Sequence, residues 1–356
     1  MNARTERPVF GWDVGGAHVK VSMLDARGDV SDVAQWACAL WQGLDHLDHT
    51  IDLVFERWPL ARDGGALHAV TMTGEMVDLF EDRARGVDAI ARTLAARLPG
   101  TLRFYAGGAG ESGWFDANAC GDGWRRVASA NWLATAQCVA SRLADAVLID
   151  IGSTTTDIVP IANARVVARG HSDATRLATG ELVYHGVVRT PLCGLAHRIA
   201  FDGAQCNVMN EWFATTADVY RLTGELDPAH DLYPAADNGP KTLAASRARI
   251  ARMIGRDARD ADESAWLAFA RRWRALQRAA LAVNLASVVA AHNGLAHAPL
   301  VGAGCGRFLA ACLAREQGRA YVDFGELAGV PAHCASWSAT CAPGVAVALL
   351  AVSAFA

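Results

Sequence analysis

The stretch Val147-Leu-Ile-Asp150-Ile-Gly152-Ser153-Thr154-Thr155-Thr156-Asp157-Ile-Val-Pro-Ile161 decides how the rest of the chain reads. One apolar run ends in Asp150, a Gly-Ser-Thr-Thr-Thr turn follows, and a second apolar run leaves after Asp157. This is the pattern of a tight hairpin between two buried strands. Gly152 permits close backbone approach, and the turn amides and the hydroxyls of Ser153, Thr154, Thr155 and Thr156 are donors for phosphate oxygens. Asp150 and Asp157 are placed to face a hard cation. These residue types suit phosphate and Mg²⁺ chemistry.

Working outward, the same device recurs near the N-terminus. Residues 13–24 slide onto 150–161 without a gap, matching Asp13 to Asp150, Val14 to Ile151, Gly15 to Gly152, Lys20 to Asp157, Val21 to Ile158 and Leu24 to Ile161. A single Asp-x-Gly turn is most often an ordinary hairpin, whereas two copies imply a duplicated domain. In the first copy Gly15 and Gly16 take the phosphate-turn positions and Lys20, on the returning strand, is a phosphate contact. Asp13 and Asp150 are the candidate metal ligands.

A length of 356 residues suits about two domains. We place them at 1–144 and 145–341, with a substrate-wall insertion near 171–242 and a terminal helix, 342–356, packing back on the first. The formal net charge of −4 and the lack of a dense basic run give no reason to expect nucleic acid. Nine cysteines show neither a Cys-x-x-Cys pair nor Cys/His zinc spacing, and read as reduced thiols. The first residues lack the apolar stretch of a signal peptide, and the apolar run 342–356 falls short of the roughly 20 residues of a membrane span. The expectation is a cytoplasmic protein acting on small molecules, without membrane or nucleic acid; a homodimer is compatible with it.

Between the repeats, Leu67 to Met72 reads as a strand leading into Thr73-Gly74-Glu75, with Met76 to Phe80 opening a helix. A strand, a small-residue turn and a helix N-terminus make an anion site, so Thr73 is a substrate contact and Glu75 a substrate contact or base. The glycine-rich run Gly107 to Gly113 is too flexible to hold itself and is either disordered or ordered by contacts. Trp124 to Ala144 reads as one long helix carrying Asn131, a substrate-positioning amide. After the central hairpin, Arg165 to Gly170 reads as a third strand, and Ala178 to Pro191 gathers Glu181, Tyr184 and Arg189 into a substrate wall; Arg189 suits bidentate recognition of phosphate or carboxylate. Glu225 to Lys241 reads as a long loop, functional or mobile. The turn Gly302-Ala-Gly304-Cys-Gly306 with Asp323 has dinucleotide-fingerprint spacing, yet too few residues follow to complete a doubly wound sheet.

Asp13-Val-Gly-Gly-Ala with Lys20, Asp150-Ile-Gly-Ser-Thr-Thr-Thr-Asp157 and Val301-Gly-Ala-Gly-Cys-Gly306 resemble, in order and spacing, the two phosphate motifs and the adenosine motif of the superfamily of acetate and sugar kinases, Hsp70 and actin. Within it the chain resembles the hydantoinase/oxoprolinase-related group. Through Thr73-Gly-Glu75, Ser129-Ala-Asn131-Trp132, Thr179-Gly-Glu181-Leu-Val-Tyr184 and Arg189-Thr-Pro191 it is most similar to the methanofuran-biosynthesis branch. The resemblance implies an α/β fold of duplicated actin-like (ribonuclease H-like) domains, mixed sheets with helices on both faces, and a cleft between them. It places Gly302 and Gly304 at phosphate and makes Asp13, Glu75, Asp150 and Asp157 the catalytic candidates. The implied reaction joins an aminomethyl-furanmethyl diphosphate to a glutamyl-tyramine or tyrosine-type phenol, forming an aryl ether and releasing diphosphate, with Mg²⁺ and without consumption of ATP, whose binding stays open. An ATP-dependent small-molecule kinase and a cyclic-amide hydrolase are the alternatives.

Overall fold

The computed structural model describes residues 7–108 and 111–355. The first sheet contains β1 (Val9–Val14), β2 (His18–Leu24), β3 (Val30–Ala37), β4 (Leu67–Met72), β5 (Thr101–Gly108) and β6 (Glu111–Phe115) in the order β3-β2-β1-β4-β5-β6. Strands β1 and β4 are buried at every position, as central strands covered on both faces must be. They run parallel, and β4 and β5 do also, whereas β1-β2, β2-β3 and β5-β6 are antiparallel. Parallel neighbours need crossovers. The helices Asp45–Arg57 and Arg83–Arg97 lie in those connections. The second of these starts at Asp82, whose side chain accepts from the Arg85 amide.

The second sheet contains β7 (Ala146–Ile151), β8 (Thr156–Ala162), β9 (Arg165–Val166), β10 (Leu182–Val183), β13 (Leu300–Ala303) and β14 (Tyr321–Asp323), in the order β10-β8-β7-β13-β14 with β9 on β8. A separate hairpin joins β11 (Arg198–Phe201) and β12 (Ala204–Asn207). The expected α/β class with two mixed sheets is borne out. The chain divides into two compact units. One comprises Met1–Leu148, Val159–Ala178 and Val322–Ala356; the other comprises Ile149–Ile158 and Thr179–Tyr321.

In the first unit Trp12, Val14, Val21, Ile51, Val54, Val70, Met72, Ile90, Leu94 and Phe104 form the core. The terminal helix Ala342–Phe355 packs on β1 and on the helix Asn131–Ala140. A β-carbon on Gly11 would stand 2.0 Å from the Gly344 carbonyl oxygen, so the approach of helix to strand requires a glycine there. No single helix among the described residues is long and apolar enough to cross a membrane; Ala332–Thr340 and Ala342–Phe355 pass that test only together and are bent by 108°.

Three expectations need correction. Residues 76–80 do not open a helix: Gly74–Met76 is a single 3₁₀ turn and the helix begins at Arg83. Sequence periodicity counts Met76, Val77, Leu79 and Phe80 as a helical face, but Asp82 supplies the capping oxygen and sets the start at Arg83. The helix expected over Trp124 to Ala144 is broken into Trp124–Val127 and Asn131–Ala140, because Ser129 adopts a left-handed backbone at φ 50°. The glycine-rich run is no correction: of its two expected states it takes the one ordered by contacts, with Gly107 opposite Ser112 across β5 and β6, while Ala109 and Gly110 lie outside the described residues. The third strand expected over Arg165 to Gly170 is present only as Arg165–Val166.

The second unit has its own cluster of Leu192, Ile199, Phe201, Val219, Ile250, Trp266, Phe269 and Trp273. The long loop 225–241 is tied to it by charge. Buried Asp218, which also completes a capping box with Thr215, accepts from Arg249 Nε at 2.8 Å, Ser246 Oγ at 2.7 Å and Arg221 Nη1 at 3.1 Å. Arg221 also pairs with Asp231, Lys241 Nζ lies 3.2 Å from Asp231 Oδ1, and Arg249 Nη1 lies 3.0 Å from Asp237 Oδ1. Arg249 is fully buried, so removing the charge of Asp218 leaves that guanidinium poorly compensated. Asp218→Asn is expected to cost about 1.5–3 kcal/mol, the value of hydrogen bonds to a charged group. It should lower the thermal midpoint and make the 225–241 loop cleavable by protease at lower temperature. An unchanged midpoint would mean that the network does not hold the loop.

Candidate active site

In the first unit the turn between β1 and β2 closes through Gly15, whose amide donates to the His18 carbonyl at 2.9 Å. Asp13, next to last in β1, lies directly opposite Lys20, and Lys20 Nζ stands 3.4 Å from Asp13 Oδ2. The pair places a cation beside the turn as well as a carboxylate. Thr73 continues β4 onto the same turn, its amide donating to the Val14 carbonyl at 2.9 Å. A β-carbon on Gly15 would lie 3.5 Å from Thr73 Oγ1, and one on Gly74 would lie 3.3 Å from the Val14 carbonyl oxygen. A β-carbon on Gly16 would instead meet Val77 Cγ1 at 2.7 Å. Asp13, Gly15, Gly16, Lys20, Thr73 and Glu75 are therefore gathered by two adjacent strand ends.

Glu75 is 1% exposed. Ser129 Oγ donates to its Oε1 at 2.8 Å, and Arg83 Nη2 lies 3.1 Å from the same oxygen. Burial raises the Glu75 pKa above the ordinary carboxylate value, with hydrogen bonds from Ser129, its own amide and Arg83 pulling the other way. This arrangement is not the helix-terminus site expected from sequence: no helix N-terminus begins at Glu75. Asn131 is half-buried at the first position of its helix, two residues from Ser129.

In the second unit the hairpin turn closes with the Gly152 amide donating to the Thr155 carbonyl at 2.8 Å, leaving Ser153, Thr154 and Thr155 half-exposed. Two further segments brace it. The amides of Val187, Val188 and Arg189 donate to the carbonyls of Gly152 and Ser153 at 2.8–3.1 Å. The Gly306 amide donates to the Ile151 carbonyl at 2.8 Å. Gly304, at φ 79°, approaches so closely that a β-carbon there would stand 2.1 Å from the Ile151 carbonyl oxygen and 2.6 Å from Asp150 Oδ1. Gly302 faces elsewhere, with Tyr321 Oη 2.4 Å from where its β-carbon would be. Asp157 is paired across the sheet with Leu182, and the Ile158 amide donates to the Glu181 carbonyl at 2.8 Å, so Asp157 and buried Glu181 share one edge of this region. Tyr184 is exposed, and Arg189 is exposed with its guanidinium 5.8 Å from the Tyr233 ring centroid.

The sequence reading missed Arg83, Asp173 and Gly186, and treated Ser129 and Gly306 only as parts of motifs. Gly186 and Gly306 matter through close backbone approach to the turn, which spacing alone does not display. Among the described residues no group of three or more His, Cys, Asp or Glu side chains could hold a metal ion. Mg²⁺ commonly takes one or two carboxylates and completes its shell with water and substrate phosphate. A single buried aspartate at each turn, Asp13 and Asp150, is consistent with that habit.

Asp-Gly hairpin turns, one in each of two mixed sheets, define an α/β fold with a phosphate-turn pattern in each sheet. The chain belongs to the hydantoinase/oxoprolinase family, whose model matches residues 67–353. It is 30% identical over 251 residues to the (4-{4-[2-(gamma-L-glutamylamino)ethyl]phenoxymethyl}furan-2-yl)methanamine synthase of Methanocaldococcus jannaschii, covering 70% of this chain and 72% of that one. A protein of the same name from Methanococcus vannielii is 36% identical over 120 residues, 33% of this chain and 54% of that one. The nucleotide-free structure of an acetone carboxylase is similar in fold at a TM-score of 0.57 and 12% identity, over 96% of this chain and 70% of that one.

Proposed function

We propose that the chain is a transferase of methanofuran-type cofactor biosynthesis, joining a furanmethyl diphosphate to a phenol as an aryl ether and releasing diphosphate. The observation that carries this reading is the 30% identity over 70% of the chain to a synthase whose named product contains a phenoxymethyl-furan linkage. The site chemistry supports it. Ionisation at a furanmethyl carbon is aided by the ring oxygen, so the main demand on the enzyme is to bind the leaving diphosphate. The half-exposed hydroxyls of Ser153, Thr154 and Thr155 are donors for its oxygens, and Lys20 supplies positive charge at the other turn. Asp13 at the first turn and Asp150 at the second are each assigned as a carboxylate for Mg²⁺, which when bound supplies charge neutralisation to diphosphate.

The phenol has a reference pKa near 10 and benefits from a carboxylate that accepts its proton. Glu75 takes that role here, and Asp157 is the other candidate. Thr73, Asn131, Glu181, Tyr184 and Arg189 are assigned to substrate binding, with Gly302 and Gly304 at the former adenosine motif. The donor arrives activated, so ATP is not consumed. The substrates are small molecules, and the setting is cytoplasmic.

The test is the phosphorus product. Purified protein with furanmethyl diphosphate, a phenolic acceptor, Mg²⁺ and ATP, followed by phosphorus NMR, should yield diphosphate in proportion to ether and leave ATP intact. Stoichiometric ADP, with a phosphorylated furan or an opened lactam, would establish the kinase or cyclic-amide hydrolase reading instead.

A further inference from the structure

Glu75 does not stand alone in the first unit. Arg83 Nη2 reaches three oxygens: Glu75 Oε1 at 3.1 Å, Ser129 Oγ at 2.7 Å and Asp173 Oδ2 at 3.0 Å. Ser129 Oγ in turn lies 2.8 Å from Glu75 Oε1 and 3.2 Å from Asp173 Oδ2. A serine hydroxyl has one proton. Because Arg83 donates to Ser129, the hydroxyl proton is directed to one of two carboxylates, and the shorter distance selects Glu75. Only one oxygen of Glu75 is engaged in this way. Its Oε2 is buried and makes no hydrogen bond among the described residues.

Two features argue against an incidental cluster. Ser129 is held at φ 50°, a conformation a serine adopts at a cost of order 1–3 kcal/mol and retains only where its surroundings fix it. The strain breaks what would otherwise be a continuous helix and delivers the hydroxyl to Glu75. Second, Gly86 packs so tightly under Glu75 that a β-carbon there would be 2.6 Å from the Glu75 carbonyl oxygen and 2.8 Å from its α-carbon, which fixes the backbone from the Arg83 side. The carboxylate is positioned from both sides, with one oxygen tied and the other not.

We propose that Ser129, Arg83 and Asp173 are positioning residues that hold Glu75 as the proton acceptor for the phenol, with Oε2 as the accepting atom. This deepens the ether-synthase reading and rests on it. In the step the phenolic O–H breaks and its proton passes to Glu75 Oε2. The phenol oxygen forms the new bond to the furanmethyl carbon, and the carbon–oxygen bond to diphosphate breaks with its electron pair leaving on diphosphate. Ser129 and Arg83 stabilise the ionised carboxylate before the transfer, and Asp173 draws Arg83 partly away, which keeps Glu75 basic enough to take the proton. Among the described residues the charged groups linked to Glu75 are Arg83, which contacts it from the first position of its helix, and Asp173, on the helix Asp173–Thr179, which reaches it through Arg83 and Ser129.

Opposite shifts of one pH limb test this. The base must be ionised, so activity falls on the acid side as Glu75 is protonated. Ser129→Gly removes the hydroxyl while accepting the left-handed backbone, and loss of one hydrogen bond to the ionised form should move the acid limb of kcat up by about one pH unit. Asp173→Asn removes a nearby negative charge and frees Arg83 for Glu75, and should move the same limb down. Glu75→Gln should slow ordinary phenols by about 10²- to 10⁴-fold and be partly rescued by phenols of lower pKa. A merely structural role predicts equal losses for all acceptors and no movement of the limb. If wild-type protein makes no ether, the functional reading fails; if it makes ether and the acid limb stays in place in both Ser129→Gly and Asp173→Asn, this inference alone is overturned.

Discussion

Asp150→Asn is expected to lower kcat by about 10²- to 10³-fold, the range for removing one group that stabilises charge developing in the transition state. Asp150 is next to last in β7 before the phosphate turn, is 8% exposed, and has Gly304 brought against its Oδ1 by a backbone that no other residue type would fit easily. An amide of the same shape keeps the packing and removes the charge, so the thermal midpoint should shift by no more than a few degrees. The Mg²⁺ concentration needed for half-maximal rate should rise as well. Near-normal turnover with unchanged Mg²⁺ dependence would remove Asp150 from the cation and diphosphate chemistry.

The second large effect is expected from a residue with no side chain. The Gly186 carbonyl is fixed by Thr216 Oγ1 and Gln277 Nε2, each at 2.9 Å, and its amide donates to Thr190 Oγ1 at 2.7 Å. With both polar groups held, the residue cannot retreat. A β-carbon there would stand 2.3 Å from the Ser153 carbonyl carbon and 2.3 Å from the Thr154 nitrogen, inside the backbone of the phosphate turn. Gly186→Ala must therefore displace that turn, at a cost of about 1–3 kcal/mol in stability. Because a misplacement of about 1 Å is worth roughly 10²-fold in rate, kcat should fall by about that factor. Gly194→Ala, where nothing lies within 4 Å of the new carbon, is the matched control and should be silent. Equal behaviour of the two variants would show that the 186–190 segment does not shape the turn.

The hairpins and their repeat were legible because Asp-x-Gly between two apolar runs is a local pattern, and two aligned copies specify a duplicated framework. The surroundings of Glu75 were not. The sequence shows Thr73-Gly-Glu75 after a strand, and local reasoning then supplies a helix; the capping oxygen of Asp82 moves that helix to Arg83 and makes Arg83 a partner of Glu75. Ser129 sits inside a stretch with helical periodicity, and its left-handed backbone follows from tertiary contacts with Arg83, Glu75 and Asp173, the last two 54 and 44 residues away in sequence. The loop 225–241 reads as irregular from its prolines and glycine, yet charge pairs from Arg221, Lys241 and Arg249 hold it. Local patterns carried the turns; long-range ion pairs and close glycine contacts carried the rest.

The central claim is that the phenol oxygen attacks the furanmethyl carbon and diphosphate leaves with its bridging oxygen. The most direct measurement gives the protein a phenol labelled with ¹⁸O in its hydroxyl, together with unlabelled furanmethyl diphosphate, and reads the ether by mass. The account predicts that the ether retains the label and the released diphosphate contains none. An ether without label, or label recovered in phosphate, would show that the phenol was the activated partner and would contradict it.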